Sequence, residues 1–119
     1  MPGTVFIVED NSDFGAALAE LLSDEGFKPV CFPTGPQALD GLRNQTPALI
    51  ITDVVLPGMS GFDLVTALRA HAAWRNIPVV MLSAGEHARR AREVGAPPVL
   101  FKPDVASLMR VLPAAARSA

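Results

Sequence analysis

Four short apolar stretches of this chain are each followed by polar residues that could take part in chemistry. Glu9 and Asp10 follow the first stretch, Asp53 the second, Ser83 the third and Lys102 the fourth. Three carboxylates gathered in one place would repel each other by about 4 kcal/mol per pair, at a separation of about 4 Å and an effective dielectric constant of about 20. A site built from them therefore needs compensating positive charge, of which Lys102 supplies one unit.

A divalent cation is the expected source of the remaining positive charge. The candidate ligands all bind through oxygen, with no histidine or cysteine among them, which suits a small, hard ion that keeps several of its waters. Mg2+ is therefore the predicted ion, and Mn2+ the predicted substitute.

A carboxylate beside a cation, an ammonium group and a hydroxyl has what a nucleophile toward phosphorus requires. The cation and Lys102 would neutralise charge on the transferring oxygens, and Ser83 could donate a hydrogen bond to one of them. The pattern predicts phosphoryl transfer to a carboxylate, with an aspartyl phosphate as the product.

The apolar stretches themselves are typical of buried strands. They are rich in β-branched residues and do not alternate with polar ones, as in strands covered on both faces of a parallel sheet. They lie at residues 5–8, 49–52, 79–82 and 99–101, with residues 28–32 as a weaker fifth strand. Ligands of open parallel sheets bind beyond the C-terminal ends of the strands, so this fold would bring the polar residues to one edge.

The segments between the predicted strands carry apolar residues at helical spacing. The first helix is predicted to be capped by Asn11 or Ser12 and ended by Gly26, and the third to start near Ser60. The residues predicted for the buried faces of the first three helices are Phe14, Ala17, Leu18, Leu21 and Leu22; Ala38, Leu39 and Leu42; and Phe62, Val65, Leu68 and Ala72. A fourth helix is predicted at residues 86–94, and a last one carries Val105, Leu108, Met109 and Leu112.

Strand and helix therefore alternate five times. This alternation predicts an α/β fold with a doubly wound, five-stranded parallel sheet and helices on both of its faces. With 119 residues, the chain is expected to form a single domain over residues 1–119, with a core at about 4–112 and a tail at 113–119.

The charge and the cysteine content limit the location and the partners. A formal net charge of −2 offers no basic surface for nucleic acid or for an anionic membrane. Glu9 and Asp10 interrupt the first apolar stretch before it could form a signal-peptide core, and no stretch is long enough to span a bilayer. A lone cysteine, Cys31, excludes an internal disulfide and fits a reducing compartment, so the cytoplasm is expected. Cys31 is predicted to be buried, His71 to be solvated and Trp74 to anchor a loop.

Five short motifs give the chain a resemblance to a known family. They are Val-Glu-Asp-Asn at residues 8–11, Ile-Thr-Asp at 51–53, Leu-Pro-Gly-Met-Ser-Gly at 56–61, Leu-Ser-Ala at 82–84 and Phe-Lys-Pro at 101–103. Asp53 follows Asp10 by 43 residues and precedes Ser83 by 30. In this order and at these spacings, residues 4 to about 112 resemble the receiver domain of two-component response regulators, which has a flavodoxin-like fold similar to that of chemotaxis regulators.

The resemblance implies a role for each matching position. Asp53 would be the phosphoacceptor, and the other site residues would be Asp10 as a direct Mg2+ ligand, Glu9 as an outer-shell ligand, Val55 as a ligand through its backbone carbonyl, Ser83 as the switch hydroxyl and Lys102 as the ion-pair partner of the phosphoryl group. A histidine kinase or a histidine phosphotransfer protein would supply that group, and a downstream protein would receive the signal. The chain would thus be a signalling phosphoacceptor, not an enzyme for a separate substrate.

Two departures from the family pattern keep other functions open. Val99 occupies the position where receivers usually carry tyrosine or phenylalanine, and Lys102 follows Ser83 by only 19 positions, a few fewer than expected. The first alternative is a phosphorylation-independent interaction module with the same fold. The second is a phosphatase with an Asp53 phospho-intermediate. Val55 counts against this alternative, because such hydrolases have a second aspartate at that position.

Overall fold

A computed structural model describes residues 3–83 and 99–101 of the chain. The elements in this part are β1 (Thr4–Val8), α1 (Ser12–Asp24), β2 (Lys28–Phe32), α2 (Gly35–Gly41), β3 (Leu49–Asp53), α3 (Gly61–Ala70), β4 (Val79–Ser83) and β5 (Val99–Phe101). The strands form one parallel sheet in the spatial order β2-β1-β3-β4-β5. The predicted α/β fold with a five-stranded parallel sheet is confirmed.

Two apolar clusters cover the two faces of the sheet, because successive side chains of a strand point to opposite sides. On one side, Ile7 of β1 packs in a cluster with Leu18 and Leu22 of α1. On the other side, Phe6 packs in a cluster with Leu64 of α3 and side chains of α2. Helices therefore lie on both faces, and this explains why the strand sequences are apolar without alternation.

The buried face of α1 is narrower than predicted. Gly15, Leu18 and Leu22 are buried, whereas Ala17 is exposed and Leu21 is 39% exposed. A helix turns by about 100° per residue, so a sheet surface contacts one stripe with i, i+3, i+7 spacing, and the neighbours of that stripe turn toward solvent. The predictions for Ala17 and Leu21 are wrong for this reason.

Both ends of α1 have the predicted signals. The Asn11 side chain accepts a hydrogen bond from the Phe14 backbone N–H at 3.0 Å, which makes Asn11 the N-cap. Gly26 adopts φ +91°, in the left-handed region that a glycine enters without steric cost, and the chain turns there into β2.

The helix α3 begins as predicted but ends earlier. Its N-cap is Ser60, which forms a capping box with Asp63: each side chain accepts a hydrogen bond from the other residue's backbone N–H at 3.1 Å. Leu64 and Leu68 are its buried leucines, whereas Phe62 and Val65 are only half-buried. The helix ends at Ala70, and the prediction that Ala72 belongs to its buried face is wrong because Ala72 is exposed.

A structured turn replaces the last part of the predicted third helix. The rings of His71 and Trp74 stack with their centroids 3.8 Å apart and their planes at 12°. The Trp74 indole is half-buried and packs against the core, so Trp74 anchors this loop as predicted. His71 is exposed, also as predicted, although its Nδ1 accepts a hydrogen bond from the Ala73 backbone N–H at 3.2 Å.

Cys31 is exposed, and the expectation that it is buried is wrong. It lies on β2, one of the two edge strands of the described sheet. Its sulfur lies 3.8 Å from the Gly15 carbonyl oxygen, and partial burial there raises the pKa of the Cys31 thiol. The thiol therefore stays protonated at neutral pH and is a poor nucleophile.

Several predictions concern residues outside the described ranges. These are the helix at residues 86–94, the helix that carries Val105 to Leu112, the residue Lys102 and the tail at 113–119. Within residues 3–83 and 99–101, no helix is long and apolar enough to cross a membrane.

Replacing Ser60 with alanine should lower the free energy of unfolding by about 1 kcal/mol, because the backbone N–H of Asp63 loses its capping oxygen. Urea unfolding followed by circular dichroism measures this loss. Ser23→Ala, an exposed change within α1, is the matched control and should stay within about 0.5 kcal/mol of the wild type. Equal losses in both variants would show that the cap contributes nothing.

Candidate functional site

The candidate site lies where the order of the strands reverses. From β1 the chain passes to β2 on one side and then returns to β3 on the other, so β1 and β3 are neighbours at the reversal. Such a reversal leaves a crevice at the C-terminal ends of the two strands, where open α/β sheets bind ligands. Val8 pairs with Thr52 in this register, and the next residues, Glu9 and Asp53, therefore lie side by side at the mouth of the crevice.

Three carboxylates meet in this crevice. One oxygen from each of Glu9, Asp10 and Asp53 lies within 4.8 Å of the other two. Glu9 is 7% and Asp53 8% exposed, while Asp10 is exposed. Oε2 of Glu9 accepts a hydrogen bond from the Asn11 backbone N–H at 3.0 Å, which orients that carboxylate at the end of β1.

The electrostatics of this cluster favour a bound cation. At that separation and an effective dielectric constant of about 20, the buried charges of Glu9 and Asp53 repel each other by about 3 kcal/mol. The donor atoms are all carboxylate oxygens, two of them from buried residues, which is the donor set of a hard divalent ion. The residues present therefore fit Mg2+ or Mn2+.

The other predicted site residues occupy different positions around the cluster. Ser83 is the last residue of β4 and is 2% exposed; β4 pairs with β3 through Asp53 and Leu82. Ser83 itself pairs with Phe101, the last residue of β5, directly before Lys102 in the sequence. Lys102 lies outside the described residues. Val55 lies two residues beyond Asp53 in the loop after β3, and it is 62% exposed.

The backbone around Asp53 is anchored by two neighbouring elements and by a side chain of its own strand. The Val54 N–H donates to the Leu82 carbonyl of β4 at 2.9 Å, and the Val54 carbonyl accepts from the Gly61 N–H of α3 at 2.8 Å. The Thr52 hydroxyl donates to the Asp53 carbonyl at 3.0 Å.

Sequence reasoning missed Thr52 and Gly61. The signal for Thr52 was present, since it is the only hydroxyl residue in the apolar stretch 49–52. Gly61 ends the motif at residues 56–61, but its contact with Asp53 joins two different elements and could not be predicted from the motif.

Comparison with known proteins agrees with the fold. The family model described as the response regulator receiver domain matches residues 5–112. The phosphate regulon transcriptional regulatory protein PhoB of Klebsiella pneumoniae is 37% identical over 106 residues, which are 87% of this chain and 46% of that protein. The hybrid signal transduction histidine kinase D of Dictyostelium discoideum is 40% identical over 80 residues, 67% of this chain and 5% of that protein. The chain thus spans less than half the length of these curated relatives.

Two solved structures share nearly the whole fold. A response regulator from Chloroflexus aurantiacus, described as putative, superimposes with a TM-score of 0.89 at 27% identity, over 98% of this chain and 99% of that one. The chemotaxis protein CheY4 of Vibrio cholerae superimposes with a TM-score of 0.86 at 26% identity, over 97% and 99%. The motifs, the parallel sheet and the matched family model agree, and the chain belongs to the receiver-domain family of two-component response regulators.

Proposed function

We propose that this chain is a phosphoacceptor whose Asp53 takes a phosphoryl group from a histidine kinase or a histidine phosphotransfer protein. The observation that carries the proposal is the Asp53 carboxylate, 8% exposed and gathered with Glu9 and Asp10 at the reversal of strand order. The likeness to a hybrid histidine kinase supports a phosphohistidine donor. The phosphorylated domain would then signal to a downstream protein by a change of conformation.

The transfer exchanges one bond to phosphorus for another. An oxygen of Asp53 attacks phosphorus, a P–O bond forms, and the P–N bond to the donor histidine breaks. The electron pair of that bond stays on the imidazole nitrogen, which takes up a proton. Hydrolysis of the aspartyl phosphate by water later returns the Asp53 carboxylate and inorganic phosphate.

Each remaining residue of the site has a defined role in this proposal. Asp10, Asp53 and the backbone carbonyl of Val55 would hold Mg2+, or Mn2+ in its place, and Glu9 would contact it through water. When bound, the ion neutralises the carboxylates and the oxygens of the incoming phosphoryl group. The Ser83 hydroxyl would donate to one phosphoryl oxygen, and Lys102 would pair with another. These roles come from the matching positions of the family and from the oxygen-only donor set.

Reaction with acetyl phosphate tests the proposal without a cognate kinase. Wild-type protein with Mg2+ and acetyl phosphate should gain the mass of one phosphoryl group, detected by intact mass spectrometry. With EDTA, adduct formation should be at least about tenfold slower, because the carboxylates then repel the phosphoryl oxygens. No adduct in the presence of Mg2+, or an equal rate in EDTA, would contradict the proposal.

Val99 supports a second candidate, an interaction module that does not depend on phosphorylation. The residue lies at the start of β5, paired with Met81, at the position where receivers usually carry an aromatic side chain. If this alternative is correct, a protein target would bind wild type and Asp53→Asn with equal affinity under phosphorylating conditions. An affinity that changes with phosphorylation would exclude it.

We further propose that residues 1–119 act as one cytoplasmic receiver domain, with a core at about 4–112, a tail at 113–119 and no catalytic activity on a separate substrate. A net charge of −2 favours a protein target over nucleic acid or membrane. The relative MtrA of Mycobacterium tuberculosis is described as a DNA-binding response regulator, and this chain spans 34% of it.

A further inference from the structure

We propose that the Thr52 hydroxyl and the bare α-carbon of Gly61 are positioning elements for the Asp53 nucleophile, an inference that rests on the proposed phosphoacceptor function. Thr52 is 0% exposed, in the middle of an apolar sheet. A buried hydroxyl needs a hydrogen-bond partner, and this one donates to the carbonyl of Asp53 at 3.0 Å. The bond thus holds the peptide group of the residue that carries the nucleophile.

Gly61, the first residue of α3, approaches the same peptide group from outside the strand. A β-carbon built on Gly61 would overlap the Asp53 carbonyl oxygen and lie 2.8 Å from the Met81 methyl group and 3.1 Å from the Val54 α-carbon. Two of these three atoms belong to the backbone, which cannot move aside as a flexible side chain can. Only glycine lets the first turn of α3 approach the end of β3 this closely.

These contacts determine where the Asp53 carboxylate lies. The same peptide group is tied to β4, because its Val54 N–H donates to the Leu82 carbonyl. The next peptide group is tied to α3, because its Val54 carbonyl accepts a hydrogen bond from the Gly61 N–H. The Asp53 carbonyl has the Thr52 hydroxyl as a further anchor, so a rotation of this peptide group has to break a buried hydrogen bond. Such a rotation would swing the Asp53 side chain, and a misplacement of about 1 Å can slow a positioned reaction by about 100-fold.

Thr52→Val tests the hydroxyl because valine keeps the shape and burial of threonine. We expect adduct formation from acetyl phosphate to slow about tenfold and the dissociation constant for Mn2+ to rise severalfold, as when an outer-shell partner of a metal ligand is removed. Thr52→Ser keeps the hydroxyl and should stay within about twofold of the wild type. Thr66→Val removes an exposed hydroxyl that donates to the Phe62 carbonyl within α3, and it should change neither quantity.

A pair of glycine variants provides a second test if Thr52→Val does not fold. Gly61→Ala should slow adduct formation at least about tenfold, because its methyl group displaces the Asp53 backbone. Gly35→Ala is the matched control, since Gly35 is also the first residue of its helix. Its added methyl group would meet the thioether of Met59 at 2.7 Å, which can move, and the rate should stay within about twofold of the wild type.

Three outcomes would overturn the positioning role. They are a wild-type rate and Mn2+ affinity in Thr52→Val, equal slowing in Thr52→Val and Thr52→Ser, and equal slowing in the two glycine variants. A wild type without any adduct would contradict the proposed function instead, and the Mn2+ titrations would then decide the positioning role alone. A wild type that binds no Mn2+ would overturn that role as well.

Discussion

Asp53→Asn should abolish the phosphoryl adduct completely. The amide has the size and shape of the carboxylate, so the end of β3 keeps its packing, but the amide lacks the anionic oxygen that attacks phosphorus. The measurement is intact mass after incubation with acetyl phosphate and Mg2+, with circular dichroism to verify that the variant is folded.

Asp24→Asn is the control for this experiment, because Asp24 is exposed at the end of α1 and the change in charge is the same. It should form the adduct at the wild-type rate. An adduct of equal amount on Asp53→Asn would place the phosphoryl group on another residue and would contradict the role proposed for Asp53.

Asp10→Asn should weaken metal binding but should not lower the free energy of unfolding of the metal-free protein. Removing one of three clustered carboxylates takes away a metal ligand, and we expect the dissociation constants for Mg2+ and Mn2+ to rise at least about tenfold. Without metal, the same change removes repulsion from Glu9 and Asp53. Asp10 is exposed and screened by solvent, so the gain in the free energy of unfolding should stay within about 1 kcal/mol.

Urea unfolding in EDTA and in excess Mg2+ measures both effects. In EDTA, Asp10→Asn should be at least as stable as the wild type. In Mg2+, the wild type should gain stability by mass action and the variant should gain less, since binding to the folded state alone stabilises it. Asp24→Asn should show the full wild-type gain. An equal gain in Asp10→Asn would show that Asp10 is not a ligand, and a loss of stability in EDTA would show that the three carboxylates do not repel.

The proposed positioning contacts also connect the site to the rest of the fold. Gly61 begins α3, and its N–H and α-carbon both contact the backbone at the end of β3. Ser83 ends β4 next to the same strand. If Asp53 is the phosphoacceptor proposed above, its phosphoryl group would therefore lie beside two neighbouring elements at once.

Local patterns predicted most of the elements correctly. Continuous apolar stretches indicated the strands because strands covered on both faces need apolar side chains at every position. The caps at Asn11 and Ser60 were predictable because a side-chain oxygen must accept a backbone N–H at a helix start, and this depends only on neighbours in sequence. The errors at Leu21 and Cys31 have a different origin, since exposure depends on how far a neighbouring element reaches.

The acidic residues, their order along the chain and the fold class were determined by the sequence alone. Their chemistry follows from side-chain type, and strand ends in a parallel sheet must meet at one edge. Only the tertiary structure decided that β1 and β3 are adjacent and that Glu9 lies beside Asp53. It also revealed the contacts of Thr52 and Gly61 with the Asp53 carbonyl. The Thr52 hydrogen bond joins neighbours in sequence, but the approach of Glu9 and of Gly61 to Asp53 depends on packing between elements, which no local pattern of residues encodes.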